Sequence, residues 1–179
     1  AFGITSTNAA SFAGHVKNPH DTTRIPGGSS GGTAAAIAAG IVAAGLGSDT
    51  GGSTRIPAAL TGTAGFRPSV GNGGAERRYH DANAVVPISR TRDTVGPMGR
   101  SVADVALLDA VVTGTPVAVA APLKGKRIGI PASFWSGLDP EMEAVVKAAR
   151  GKLEGAGVVF VDADLPGLAD LNAKVSFPV

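Results

Sequence analysis

The 179-residue sequence has no cysteine, only three histidines and few aromatic residues. Without cysteine it has no disulfide, no thiolate nucleophile and no zinc–thiolate site, and the three histidines match no recognised metal motif. Aromatic residues make up 4% of the chain, so the core must be built mainly from Ala, Val, Leu and Ile. We therefore predict a site without metal, and we expect no cofactor.

Charge and long apolar runs are also scarce. Charged residues make up 17% of the chain, against about 25% in typical domains. Sixteen basic and fourteen acidic residues nearly balance, which argues against a nucleic-acid partner. The longest apolar run, 34–46, is shorter than the about 18 residues that span a bilayer. It predicts a buried helix, so we expect no membrane partner and a cytoplasmic location.

Glycine, by contrast, is abundant, and it is concentrated with serine in two clusters, 27–32 and 45–52. Both clusters adjoin apolar segments, which disfavours a solvated linker. The sequence does not match the Walker phosphate-binding motif, because Thr33 stands where that motif has lysine. It does not match the dinucleotide-binding motif either, because Gly45-x-Gly47 lacks the third glycine. The G-x-S-x-G spacing around Ser29 and Ser30 follows a turn-rich segment rather than a strand, unlike a nucleophile elbow. Anion binding by backbone amides at a helix start stays open.

Periodicity and turn residues predict an α/β fold. We expect a Ser- or Thr-capped helix in the small-residue run after Thr33, a loop over 68–100 and a Ser101-capped helix ending near Thr113. Further on, a strand, a helix opened by Asp139-Pro140 and a second strand predict a parallel βαβ unit. The shorter elements predicted are a strand or turn over 45–49, a helix over 55–60, and strands over 63–66, 127–130 and 158–161.

Two stretches carry a specific resemblance. GGSSGGTAAAIAAG and LGSDTGGSTRIPAALTGTAGFRP, within 27–68, resemble the signature of the amidase signature family, and a weaker match continues through DTVGPMGRSVADVALL. The resemblance implies a mixed β-sheet covered by helices. It also implies Ser53 as nucleophile, Ser29 as bridging serine after a cis peptide bond, and an upstream lysine as base. The oxyanion amides implied are those of Thr50, Gly51, Gly52 and Ser53.

The implied chemistry suits these residue types. A serine hydroxyl becomes a good nucleophile only when a base takes its proton, and a lysine that burial keeps neutral can be that base. Ser30 either holds the loop beside the site or caps the following helix. We interpret Asp49 and Arg55 as an ion pair that sets the turn, with a substrate-carboxylate role for Arg55 as the alternative.

Charged residues outside the two clusters are assigned to the surface. We interpret residues 77–80 as a solvated loop, or else as part of a substrate entrance, and His15 and His20 as surface residues. The only lysine before Ser29 is Lys17, in a turn-like setting that predicts a solvated side chain.

The catalytic lysine is therefore expected outside this chain. We interpret the chain as an internal fragment of a longer amidase, inactive alone and of unknown oligomeric state. The predicted organisation is a signature core segment (1–113), a linker (114–125) and a βαβ segment of the same domain (126–179).

The stretch 71–100 is similar to the family branch that hydrolyses arylacetamide-type amides, which includes mandelamide and indoleacetamide hydrolases. This implies a small-molecule amide as substrate, cleaved at its C–N bond to a carboxylate and ammonia through a Ser53 acyl-enzyme. Two alternatives stay open. One is the A-type component of a tRNA-dependent amidotransferase, and the other is a non-catalytic domain that binds anions or nucleotides.

Overall fold

The computed structural model describes residues 14–72, 75–81 and 83–175. The chain divides into two compact units between Ala118 and Val119. This division falls within the segment 114–125, and the assignment of the second unit to the same domain stays a prediction. The chain combines helices with parallel and antiparallel strand pairs, which makes this an α/β fold, as expected.

In its described part, the first unit contains two small antiparallel sheets and three α-helices. The helices are α1 (Gly31–Ala38), α2 (Arg55–Thr61) and α3 (Val102–Thr113). The strands are β1 (Ala44–Asp49), β2 (Ala64–Gly65), β3 (Val70–Gly71), β4 (Glu76–Arg77) and β5 (Thr94–Gly99). One sheet has the order β1-β5-β2 and the other pairs β3 with β4.

The central strand β5 corrects the prediction of a loop over 68–100. It pairs along its whole length with β1, from Ala44 opposite Gly99 to Asp49 opposite Thr94. Proline in mid-sequence disguises this strand, because it cannot donate to a ladder and is rare in central strands. Here the carbonyl of Pro97 still accepts a hydrogen bond from the N–H of Phe66 at 3.0 Å. Tertiary pairing thus overrides the local turn signal.

The small-residue helix is shorter than predicted. It ends at Ala38, and the apolar run continues through a bend into β1 rather than as one buried helix. Gly40 has φ +73°, a conformation that glycine adopts without steric cost. The small side chains allow close packing, since Ala34 and Ile37 of α1 form one buried cluster with Ala58 and Met98.

The capping prediction for α3 is confirmed. Ser101 Oγ accepts from the N–H of Asp104 at 3.2 Å, and Asp104 Oδ2 accepts from the N–H of Ser101 at 3.0 Å. This reciprocal arrangement is a capping box, with aspartate in the place of the usual glutamate. Gly114 ends the helix with φ +67°.

The second unit is the predicted βαβ arrangement. Strand β6 (Arg127–Ile130) pairs in parallel with β7 (Val159–Asp162), and α4 (Pro140–Gly155) lies between them in sequence. Asp139 caps α4 by accepting from the N–H of Met142 at 2.8 Å. A short 3₁₀ helix (Ala132–Phe134) and α5 (Leu168–Val175) were not predicted.

The ranges 14–72, 75–81 and 83–175 contain neither a membrane-spanning helix nor a metal-binding cluster. No helix there is long and apolar enough to cross a membrane, and no group of three or more His, Asp or Glu side chains could hold a metal ion. The cytoplasmic location stays a prediction.

Candidate active site

The two glycine–serine clusters meet in the first unit. Ser29 and Ser30 precede α1, and Ser53 lies on the connection between β1 and α2. The N–H of Ser30 donates to the carbonyl of Ser53 at 3.1 Å, which joins the two segments directly. Ser29 and Ser53 are both half-buried, and the Gly28–Ser29 peptide bond is cis, as the resemblance implied.

Ser30 holds the loop rather than capping the helix. It occupies the N-cap position of α1, but its side chain makes no capping bond. Its Oγ instead accepts from the N–H of Ser48 at 3.2 Å and donates to the Ser48 carbonyl at 3.3 Å. The capping interpretation of Ser30 is therefore wrong. The hydroxyl is used to tie the start of α1 to β1, next to the connection that carries Ser53.

The carboxylate of Asp49 holds that connection in place through hydrogen bonds. Its side chain is fully buried and receives the N–H of Gly52 at 2.7 Å and that of Thr54 at 3.2 Å. The predicted ion pair with Arg55 is present, with Arg55 Nε 3.0 Å from Oδ2 and the second guanidinium nitrogen 3.1 Å from Oδ1. Burial raises the pKa of Asp49, but hydrogen bonds from Arg55, Gly52 and Thr54 outweigh burial and lower it overall. Asp49 is thus held as a carboxylate.

A second arginine on Asp49 was missed by the sequence analysis. Arg67 Nη1 donates to the Asp49 carbonyl oxygen and lies 3.2 Å from its Oδ1, while Nη2 donates to the carbonyl of Arg92 at 2.7 Å. The side chain of Arg67 is 22% exposed, whereas that of Arg55 is 52% exposed. Arg67 is therefore the better buried partner. Its place within the signature stretch 27–68 is the one sequence signal that could have drawn attention to it.

Of the four amides that the resemblance implies for the oxyanion, one already has a hydrogen-bond partner within the fold. The N–H of Gly52 donates to Asp49, so it does not point to an open site. The N–H groups of Thr50, Gly51 and Ser53 have no hydrogen-bond partner among the residues that the structure describes. Gly51 is exposed, and a Cβ at this position would have no described atom within 4 Å. Three amides of the connection are thus unpaired among the described residues.

The segment 77–80 is part of the fold, not a solvated loop. Arg78 makes a bidentate pair with Asp109 of α3 at 2.7 Å for both bonds, and Tyr79 Oη donates to the same carboxylate at 2.5 Å. Arg77 donates to the carbonyl of Asp93 at 2.7 Å, and His80 Nε2 accepts from the N–H of Val95 at 3.2 Å. These bonds link the segment to β5 and α3.

The pKa values of this cluster follow from the same contacts. The hydrogen bond from Arg78 lowers the pKa of Asp109 and outweighs burial, with a further contribution from Tyr79. Burial, and then the hydrogen bond to Asp109, raises the pKa of Tyr79 to about 12. An open groove of about 840 Å³ lies against this cluster and α3, and neither Ser29 nor Ser53 lines it.

The remaining predicted residues lie on the surface. Lys17 is exposed, which agrees with the prediction of a solvated lysine. His15 and His20 are exposed as well, although the His20 ring lies within hydrogen-bond distance, 2.8 Å, of the Thr61 carbonyl. None of these side chains supplies a base close to Ser29 among the contacts described.

Comparison with known proteins assigns this chain to a family. The model of the Amidase family matches residues 1–178. The chain is 46% identical to an indoleacetamide hydrolase of Agrobacterium vitis and 38% identical to a mandelamide hydrolase of Pseudomonas putida, over its whole length in both cases. Over 92% of its length it is 42% identical to the A component of the glutamyl-tRNA(Gln) amidotransferase of Chromohalobacter salexigens.

Solved structures agree. A crystal structure of an amidase superposes with a TM-score of 0.76 and 36% identity, over 93% of this chain and 37% of that one. The peptide amidase of Stenotrophomonas maltophilia superposes with a TM-score of 0.68 and 33% identity, over 89% and 35%. The chain belongs to the amidase family. It spans 37%, 34% and 36% of the lengths of the three curated relatives above.

Proposed function

We propose that the protein containing this chain hydrolyses a carboxamide to a carboxylate and ammonia, with Ser53 as nucleophile. The observation that carries the proposal is the bond between the Ser30 N–H and the Ser53 carbonyl, because it brings Ser29 and Ser53 to one site beside three unpaired amides. A nucleophile next to converging backbone N–H groups is the arrangement that acyl transfer needs.

The reaction proceeds in two displacements. Ser53 Oγ forms a bond to the amide carbon while its proton passes through Ser29 to the base, the lysine that family resemblance assigns outside this chain. The N–H groups of Thr50, Gly51 and Ser53 stabilise the oxyanion. The C–N bond then breaks, and the nitrogen takes a proton and leaves as ammonia. Water attacks the ester by the same route and releases the carboxylate.

The substrate class we propose is an arylacetamide. Its support is the similarity to the indoleacetamide and mandelamide hydrolases, whose names describe amides of this class. The relative from a glutamyl-tRNA(Gln) amidotransferase supports a second candidate, in which ammonia passes to a partner. Release of ammonia from indoleacetamide or mandelamide without a partner favours the first candidate. Activity confined to glutamine and dependent on a partner protein favours the second.

The test is a serine-to-alanine pair in the full-length protein. Ser53→Ala removes the attacking atom, so turnover and covalent labelling by a fluorophosphonate should both disappear. Ser69→Ala is the matched control, since Ser69 is exposed and lies outside both clusters, and its activity should stay at the wild-type level. Amidase activity that survives in Ser53→Ala would contradict the assignment of the nucleophile. Phosphate binding without labelling would instead favour an anion-binding domain.

Ser29→Ala tests the proton relay separately. The variant should bind substrate normally but turn it over far more slowly, because proton transfer to the base is interrupted. Unchanged turnover would remove Ser29 from the mechanism while leaving Ser53 in place.

A further inference from the structure

The side chain of Thr50 reaches out of the connection that carries Ser53. Its Oγ1 donates to Asp93 Oδ1 at 2.5 Å, across 43 residues of sequence. Thr50 is the first residue after β1, and Asp93 is the last residue before β5, the strand that pairs with β1. The bond therefore joins the start of the central strand β5 to the residue that carries the first of the three unpaired amides.

Asp93 is itself held in place. Asp93 is buried, with 7% of its surface exposed. Its second carboxylate oxygen, Oδ2, accepts hydrogen bonds from the N–H of Ile88 at 2.6 Å and from the N–H of Ser89 at 2.9 Å. A buried carboxylate with two backbone donors on one oxygen has little freedom to rotate. Its other oxygen is directed at Thr50, so Asp93 provides a fixed point to which the connection is attached.

The neighbouring residue supplies a second attachment. Arg67 joins the Arg92 carbonyl to Asp49, so residues 92 and 93 together hold residues 49 and 50. The peptide plane between Asp49 and Thr50 carries the Thr50 N–H. With both flanking residues restrained, the direction of this N–H is set before a ligand arrives.

We propose that Asp93 is a positioning residue, which orients the Thr50 N–H toward the oxyanion through its bond to the Thr50 hydroxyl. This inference rests on the proposed function. Oxyanion stabilisation requires donors about 2.7–3.1 Å from the position of the developing charge, and displacement of about 1 Å can lower a rate by about 10²-fold. Because the charge develops only in the transition state, loss of the bond affects kcat rather than KM.

The experiment compares three threonine variants of the full-length protein with an arylacetamide as substrate. Thr50→Val keeps the shape but removes the hydroxyl, and kcat should fall by about 10- to 100-fold with KM within about threefold of wild type. Thr50→Ser retains a hydroxyl and should restore most of kcat. Thr94→Val is the matched control, because Thr94 is more deeply buried than Thr50 and, among the described residues, its hydroxyl hydrogen-bonds to the Val95 carbonyl alone, at 3.1 Å.

Asp93→Asn completes a double-mutant cycle with Thr50→Val. If the two residues act through one bond, the double variant should be no slower than the slower single variant. If Asp93→Asn does not fold, the three threonine variants decide the question without it.

Several results would overturn the proposal. These are an unchanged kcat in Thr50→Val, an equal loss in Thr94→Val, no recovery in Thr50→Ser, or additive losses in the cycle. A wild-type protein without Ser53-dependent turnover would overturn the proposed function and this inference together. Normal wild-type turnover with an unaffected Thr50→Val variant would overturn this inference alone.

Discussion

Gly47 of β1 lies so close to Ser30 that a Cβ atom on it would be 2.7 Å from Ser30 Oγ and 2.9 Å from Ser30 Cβ. The same Cβ would be 3.0 Å from Oγ1 of Thr54, a fully buried hydroxyl without a hydrogen-bond partner among the described residues. The glycine leaves room for the paired bonds between Ser30 and Ser48 that tie α1 to β1. Glycine is therefore needed at position 47 because Ser30 and Thr54 approach its backbone closely, not because its φ is unusual.

Gly47→Ala should consequently destabilise the fold. The added methyl group must displace Ser30 or Thr54, and overpacking of this kind costs about 1–3 kcal/mol. Gly32→Ala in α1 is the matched control, because a Cβ there has no described atom within 4 Å and alanine favours the helix. Urea unfolding should give a lower free energy for Gly47→Ala and an equal or higher one for Gly32→Ala. Equal stability of the two variants would show that Ser30 moves freely.

Asp49 should make stability dependent on acid pH. Its pKa lies below the ordinary value of 3.8 in the folded protein, so its stabilising contribution is present above pH 3.8 and is lost as pH falls through the folded pKa. Asp49→Asn should lower the free energy of unfolding by about 3 kcal/mol at pH 7. The reason is that it leaves Arg67 and the N–H groups of Gly52 and Thr54 poorly paired. The difference from wild type in urea unfolding should shrink below about pH 4. A constant difference would contradict the lowered pKa.

The two arginines on Asp49 should differ in importance. Arg67→Met should reduce stability more than Arg55→Met, since Arg55 is half exposed and exposed ion pairs contribute at most about 1 kcal/mol. Thermal melting of the two single variants measures this directly. The reverse order would mean that the Arg67 bridge to Arg92 adds nothing.

Tyr79 should ionise at unusually high pH. Burial and its bond to Asp109 raise its pKa to about 12, so the fold favours the neutral phenol. Stability from this group is complete below the ordinary value of 10.0 and is lost as pH rises toward 12. The measurement is a pH titration of tyrosinate absorbance in wild type and in Tyr79→Phe. The difference between the two curves reports Tyr79 alone, even if the full-length protein has other tyrosines. A transition at pH 10 in the folded protein would refute the burial of the hydroxyl.

Substitutions of the adjacent glycines Gly51 and Gly52 should have different effects, one on catalysis and the other on stability. Gly52 has φ +125°, and a Cβ there would be 2.7 Å from Ile56 Cδ1, so Gly52→Ala should lower the melting temperature. Gly51→Ala meets no described atom and should leave the melting temperature unchanged. Under the proposed function, its methyl group would stand over the open amides and reduce kcat/KM for an amide substrate. Unimpaired turnover would place the substrate elsewhere.

The sequence alone determined the features that depend on neighbouring residues. The capping box at Ser101, the Asp139-Pro140 helix start and the βαβ unit follow from local chemistry, and the structure contains all of them. The two glycine–serine clusters also pointed to the right family, because a dense motif carries information that spacing and composition lack.

Only the tertiary structure decided which distant residues meet. Asp93 lies 43 residues from Thr50, Arg78 lies 31 from Asp109, and Arg67 lies 18 from Asp49. Each pair joins a charged residue to a partner whose nearness exists only once β5 has paired with β1 and α3 has docked against β5. In the unfolded chain these charges are solvated and carry no pattern. Burial makes their hydrogen bonds necessary, because a buried polar group without a partner is costly.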